Sequence, residues 1–229
     1  MKKILSLLLL LCFGMVSAYA APHHDAAKSN KHHIQSSKHH LSKIHARHKK
    51  NLSGHKTKKI KRLTTLFLAE KKYDHIFKHW QSKYPSSVSS HTLKALCITE
   101  SRLKEKATSN HGARGICQLK TSTYLDTNKA GHKVPRNGIY TATHNIHAAA
   151  YYLKVLDKYW DNEHISAKQK LTIASYNAGI GNILKAKKLC HNAQSYDKIM
   201  ACLPKVTGIK NTNITKKYVA GIMELSNKT

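Results

Sequence analysis

The stretch ESRLKEKATSNHGARGICQL, residues 100–119, decides how this chain is read. Immediately before it, Leu93 to Ile98 is an apolar run that predicts a short buried helix continuing into Thr99-Glu100-Ser101. A carboxyl group at the end of such a helix, facing a cleft, loses hydration and its pKa rises. It can then hold a proton near neutral pH and deliver it to a leaving oxygen. Glu100 is therefore the candidate general acid. Gly112, Gly115 and the polar residues around them predict a loop with at most a small β-hairpin.

Outward from this stretch the pattern is helical. Leu63, Leu66, Phe67, Ile76 and Trp80 predict a lead-in helix over 63–83 that ends before Pro85. Asn137 to Trp160 reads as one long helix, with Ile146, Ala149, Ala150, Leu153 and Leu156 inward. Ser166 and Gln169 have capping-box spacing ahead of Leu171, Ile173, Ala174 and Tyr176. Gly179 and Gly181 break that helix, another follows to about Lys188, and a last helix is expected from Asn213 to Leu225. No run alternates with period two over a useful length, so the domain over 84–229 is expected to be mainly α.

The chain has 229 residues, with 40 Lys and Arg against 11 acids, for a net charge of +29. Lys2 and Lys3 precede an apolar run from Ile4 to Val16, and Ala18-Tyr19-Ala20 supplies a small-x-small cleavage site. Residues 1–20 thus read as a secretory signal, too short for a membrane span. Residues 21–62 carry 12 Lys and Arg, 9 His and the single acid Asp25. That composition cannot bury enough surface to offset its ordering entropy, so it predicts a disordered basic arm. The pairs His23-His24, His32-His33 and His39-His40 lack the spacing of a preformed metal site. The excess charge first points to nucleic acid. Export, and an arm with no aromatic residue to stack on bases, argue against it. An anionic envelope surface is the better partner for the arm.

Four Cys remain beyond the signal. Cys190 and Cys202 bracket a short loop and are expected to pair, whereas Cys97 and Cys117 fit either a bridge or small buried hydrophobes.

The residues of 100–119 also resemble the first motif of the family 1 lytic transglycosylases, the Slt-type domain of the lysozyme superfamily. The matching positions are Glu100, Ser101, Leu103, Ala107, Ser109, Gly112, Ala113, Gly115 and Gln118. A second block gives Asn145, Ile146, Tyr152 and Leu153, and a third gives Tyr176, Asn177, Ala178 and Gly179. The resemblance implies a lysozyme-like α-helical fold and a cleft for peptidoglycan glycan strands, with no cofactor and no metal. It implies Glu100 as the sole catalytic carboxylate. Ser101, Gln118, Tyr176 and Asn177 would contact the glycan or orient the acid.

Two departures stand out. Family members often have G-L-M-Q where this chain has Gly115-Ile116-Cys117-Gln118, and E-T-x-x-Y-V where it has Ile214-Thr215-Lys216-Lys217-Tyr218-Val219. The activity implied is cleavage of the bond from N-acetylmuramic acid to N-acetylglucosamine, leaving a 1,6-anhydro end; the periplasm, where that substrate lies, is the expected compartment, with secretion the alternative. The alternatives are a hydrolytic muramidase on the same fold and a wall- or metal-binding protein that works through its arm. General wall turnover and service to an envelope-spanning secretion or conjugation machine are both compatible with these residues.

Overall fold

In the computed structural model, which describes residues 57–129 and 131–228 together with Ser42, Lys43, Ala46, Lys49 and Gly54, the organising element is one buried helix. The chain divides into Met1–Ser53 and Gly54–Thr229. In the first unit, Ser42, Lys43, Ala46 and Lys49 are helical and exposed. The expected signal (1–20) and most of the expected arm lie outside the described residues.

The described part of the second unit is built from helices joined by loops. Its elements are α1 (57–69), α2 (Asp74–Lys83), α3 (Ser90–Ser101), α4 (Thr121–Lys129), a 3-10 turn at Gly138–Tyr140, α5 (Ala142–Lys158), α6 (Ile165–Ala178), α7 (Ile180–Leu189), α8 (Tyr196–Cys202) and α9 (Pro204–Asn227). Among the described residues, β structure is confined to isolated bridges joining Thr108 to Arg114 and Arg114 to Leu119. This agrees with the expectation of at most a small β-hairpin. None of these helices is long and apolar enough to cross a membrane.

α3 is apolar on every side from Leu93 to Ile98, apart from Lys94, and all of these residues are buried. A helix of that kind belongs at the centre of a bundle. It packs against α2 and α9, while α5 packs against α2, α4 and α6. Ser89 caps α3 by accepting from the Thr92 backbone N–H at 3.2 Å. The helix stops where Arg102 (φ 56°) and Leu103 (φ 61°) enter the left-handed region. Lys94 crosses the interior to donate to Asp74 Oδ1 (2.6 Å) and to the Phe67 carbonyl (2.8 Å). One buried ammonium thereby ties α1 and α2 to α3.

Several boundaries differ from expectation for identifiable reasons. The lead-in helix is two helices, and residues 57–62, inside the stretch assigned to the arm, already belong to the first. The break falls at 70–73, where buried Tyr73 sends its hydroxyl to Glu105 and Asp74 turns to meet Lys94. The helix expected from Asn137 becomes a 3-10 turn, an extended Thr141, and then α5. A side chain on Gly138 would collide with His144 Nδ1 and the Tyr124 hydroxyl, so the chain turns tightly there.

The Ser166–Gln169 capping box does not form. α6 starts at Ile165 without a side-chain cap, and Gln169 Nε2 donates at 3.4 Å to Thr92 Oγ1 instead. Only Gly179 (φ 83°) separates α6 from α7, since Gly181 lies within α7. α8 occupies what reads as a loop between Cys190 and Cys202. α9 begins at Pro204, nine residues before the expected start, and kinks at Gly208 (φ 79°, ψ 159°). Both cysteine pairs are bridged, Cys97 to Cys117 and Cys190 to Cys202. For Cys97 and Cys117 the bridge is the realised alternative. Loops of this size contribute about 3 kcal/mol each in the chain-entropy account.

Candidate active site

Glu100 sits in the last turn of α3, partly covered, with its side chain turned toward α9. The Tyr218 hydroxyl of α9 donates to Glu100 Oε1 at 2.5 Å. Burial pushes the Glu100 carboxyl up to about 7, and the Tyr218 hydrogen bond pulls it partly back by favouring the ionised form. An acid with that pKa is about half protonated at neutral pH. It can give a proton and take one back without a large penalty either way.

Tyr176 and Tyr152 complete the cluster, with ring centroids 5.5 Å apart. Burial first, and then the Glu100 charge, drive the hydroxyls of Tyr176 and Tyr218 well above the usual phenol value. Both therefore stay protonated donors. Tyr176 spends its proton on the Cys117 carbonyl at 2.7 Å, which fixes the loop after α3 against α6.

The 102–120 loop is held by a dense set of polar contacts. Asn145, fully buried on α5, accepts from the Cys117 N–H (2.8 Å) and donates to the carbonyls of Ile139 (2.7 Å) and Arg114 (3.2 Å). Ser101 Oγ donates to the Ile116 carbonyl at 2.5 Å. Gln118, itself left-handed (φ 54°), sends its amide nitrogen to the carbonyls of Gly115 (2.9 Å) and Ala107 (3.1 Å). Gly115 (φ 79°) passes so close to Asn145 and Ile139 that no other residue fits.

The five residues singled out from sequence thus divide. Glu100 and Tyr176 meet in one electrostatic cluster. Ser101 is adjacent to the acid, but its hydroxyl ties α3 to the loop. The donors of Gln118 are engaged inside the loop, which leaves its carbonyl oxygen for a ligand. Asn177 is exposed at the end of α6, where its Oδ1 accepts from Thr215 Oγ1 of α9 at 2.9 Å. Tyr218 was absent from the expected site. Its signal lay in the Thr215-x-x-Tyr218-Val219 remnant of the last family block.

The transglycosylase SLT domain matches residues 76–199, from α2 into α8, which is more than half of the chain. The chain belongs to the transglycosylase SLT family. Comparison with curated proteins finds no match. Among solved structures, an inactive mutant of the lytic transglycosylase Slt from Pseudomonas aeruginosa superposes with a TM-score of 0.55 at 19% identity, covering 68% of this chain and 23% of that one. The 70-kDa soluble lytic transglycosylase of Escherichia coli gives 0.53 at 18% identity, covering 67% and 23%. The 70-kDa soluble lytic transglycosylase in complex with bulgecin A gives 0.52 at 19%, covering 68% and 23%. These proteins share the SLT fold with a chain that spans about a quarter of their length.

The SLT family match ends before α9, so the Tyr218 bond to Glu100 is a separate observation. Replacing Tyr218 with Phe should remove the only hydrogen bond that favours ionised Glu100 among those described. The carboxyl pKa should then rise, by about one unit or more for a charge-assisted bond. Titration of the labelled Glu100 carboxyl by NMR reads this directly. A pKa that stays put or falls would refute the role given to Tyr218.

Proposed function

We propose that this protein is an exported peptidoglycan lytic transglycosylase in which Glu100 is the single general acid and base. The observation that carries the reading is the environment of Glu100: a partly covered carboxyl raised to about 7 by burial, held by Tyr218, and perturbed by no other carboxylate among the described residues.

Six of the seven other acids of the domain have partners of their own. Asp157 accepts from Thr172 and pairs with Lys168, and Asp161 also pairs with Lys168. Glu163 pairs with Lys187, Asp126 with Lys129, and Glu224 with Lys228. Glu105 meets Tyr73 and Lys72. Asp197 lies in the first turn of α8, without a described bond to Glu100. Two-carboxylate glycosidases need a second acid about 5–9.5 Å from the first; Asp126 lies near enough to Tyr152 to raise its phenol, but among the described residues no carboxylate acts on Glu100 itself.

In the proposed reaction, protonated Glu100 gives its proton to the oxygen linking N-acetylmuramic acid to N-acetylglucosamine. As the bond from C1 to that oxygen breaks, the C6 hydroxyl of the same muramic acid closes on C1. The Glu100 carboxylate accepts the hydroxyl proton, which restores the acid and leaves a 1,6-anhydro end. Water is not consumed. Tyr218 stabilises the carboxylate between the two proton transfers, while Tyr176 holds the loop that walls the cleft. In this reading the Gln118 carbonyl oxygen and the Asn177 amide nitrogen bond acetamido or hydroxyl groups along the strand.

The lysines contribute attraction toward an anionic wall. From Tyr84 onward the domain carries +14, and residues 21–62 add +11. Export rests on the basic and apolar start of the chain, and the periplasm is the compartment that holds the substrate.

Digestion of purified peptidoglycan by the mature protein tests the reading. Anhydro-muropeptides, each lighter by one water than its reducing-end counterpart, are expected by mass spectrometry. Reducing ends alone would make it a hydrolytic muramidase. No release at all, with binding that disappears when residues 21–62 are deleted, would make it a wall-binding protein.

A further inference from the structure

One covalent feature beside the acid takes no part in the proton transfers. The Cys97–Cys117 bridge joins α3, one turn before Glu100, to the loop that carries Gln118. Cys117 stands where family members often have Met. Here its backbone is also the meeting point of the site: its N–H is bonded by Asn145 and its carbonyl by Tyr176. Ser101, next to Glu100, holds the preceding carbonyl of Ile116. The bridge therefore lies between the helix that carries the acid and the loop that orders Tyr176.

Cys190–Cys202 is different. It links the end of α7 to the end of α8, and no bond made by Glu100, Tyr176 or Tyr218 runs through it.

We infer that Cys97 and Cys117 are positioning residues for the catalytic acid, and that their disulfide staples the 116–118 loop against α3 so that Glu100 stays covered and Tyr176 stays in place. This rests on the reading of Glu100 as the general acid. A Met at position 117 could fill the space but could not fix the separation of loop and helix. With the bridge open, the loop moves off α3, water reaches Glu100, and its pKa falls toward that of an ordinary carboxylate.

Formation is an oxidation. The two thiols lose two protons and two electrons to the disulfide of an export-compartment dithiol oxidase, which is reduced to its dithiol. Both half-cystines are fully buried, so the bridge is set during folding and not toggled afterwards. Full activity consequently arises only after export into an oxidising compartment.

The test uses the mature protein and purified peptidoglycan, with kcat, KM and the pH–rate profile measured for each variant. The Cys97→Ala/Cys117→Ala variant should lose about fivefold in kcat at neutral pH with KM unchanged. Its alkaline limb, which follows deprotonation of Glu100, should move down by about one pH unit. Cys97→Ala/Cys117→Met refills the core if the first variant folds poorly, and it should show the same displaced limb. Cys190→Ala/Cys202→Ala should melt at a lower temperature but keep the wild-type kcat and limb.

Wild-type kcat and an unmoved limb in Cys97→Ala/Cys117→Met would overturn the inference while leaving Glu100 as the acid. A wild type that is inactive, or whose rate survives Glu100→Gln, would overturn the functional reading and this inference together.

Discussion

Glu100→Gln should reduce peptidoglycan cleavage by about a thousandfold or more while making the protein more stable at neutral pH. The kinetic loss follows from removing the proposed proton donor and acceptor, since a positioned acid or base contributes about 10²–10⁴-fold. Gln has the same shape and can still accept the Tyr218 hydrogen bond, so the cleft should survive.

The stability gain follows from linkage. The folded pKa of Glu100 is raised from 4.5 to about 7. The native state therefore binds this proton more tightly than the unfolded chain does. Its contribution is fully present below the unfolded pKa and is lost as pH rises through the folded one. By pH 8 the wild type has forfeited about 1–3 kcal/mol that a neutral Gln retains. Thermal melts at about pH 4 and pH 8 should show the wild type losing more stability than the variant between them. Parallel losses, or a variant that keeps a tenth of the wild-type rate, would contradict this account of Glu100.

Gly115→Ala should be the most damaging change in the loop. The backbone there is left-handed at φ 79°, which costs an ordinary residue about 1–2 kcal/mol. The added methyl group would also press into the Asn145 amide and the Ile139 carbonyl. Asn145 would have to release its bonds to Cys117, Ile139 and Arg114 inside a fully buried site, at about 1–3 kcal/mol for each group left unpaired. For a domain of this size, each kcal/mol lowers Tm by about 2–4 °C, so a fall of about 10 °C or more is expected.

Gly112→Ala is the internal comparison. Gly112 has a similar φ of 75°, but nothing lies within 4 Å of an added Cβ. It should bear the backbone cost alone and lose less than half as much. Equal falls in Tm for the two variants would show that the close packing on Asn145 does not stabilise the loop.

The placing of Glu100 at the end of the buried helix α3 was legible in the sequence because two signals coincide there. An apolar run without a polar face predicts a central helix, and the Glu-Ser pair at its end belongs to a family motif. Tyr176 was legible from its block for the same reason. Tyr218 was harder to see, because it lies on an amphipathic helix rich in Lys and becomes a site residue only when α9 packs on α3. Periodicity along α9 carries no information about that pairing.

The loop residues illustrate a second limit. Ser101 and Gln118 look like ligand contacts because they are polar and fall in the motif. Left-handed turns and closely packed backbone instead engage their donors within the protein. The break at 70–73 has no Gly or Pro to announce it, and is imposed by the long-range partners of Tyr73 and Asp74. α8 is short, and its N-cap Ser195 was hidden by the reading of 190–202 as a disulfide loop. Cysteine spacing alone could not separate a bridge from two buried thiols at Cys97 and Cys117, since only the approach of the loop to α3 brings their sulfurs together.

The central claim is that Glu100 moves a proton twice within one sugar and that water never attacks C1. Digestion of purified peptidoglycan in heavy-oxygen water, followed by mass spectrometry of the released fragments, tests this most directly. The account predicts anhydro ends with no heavy oxygen at C1, and no such products from Glu100→Gln. Fragments whose new muramic acid ends carry the heavy oxygen would contradict it.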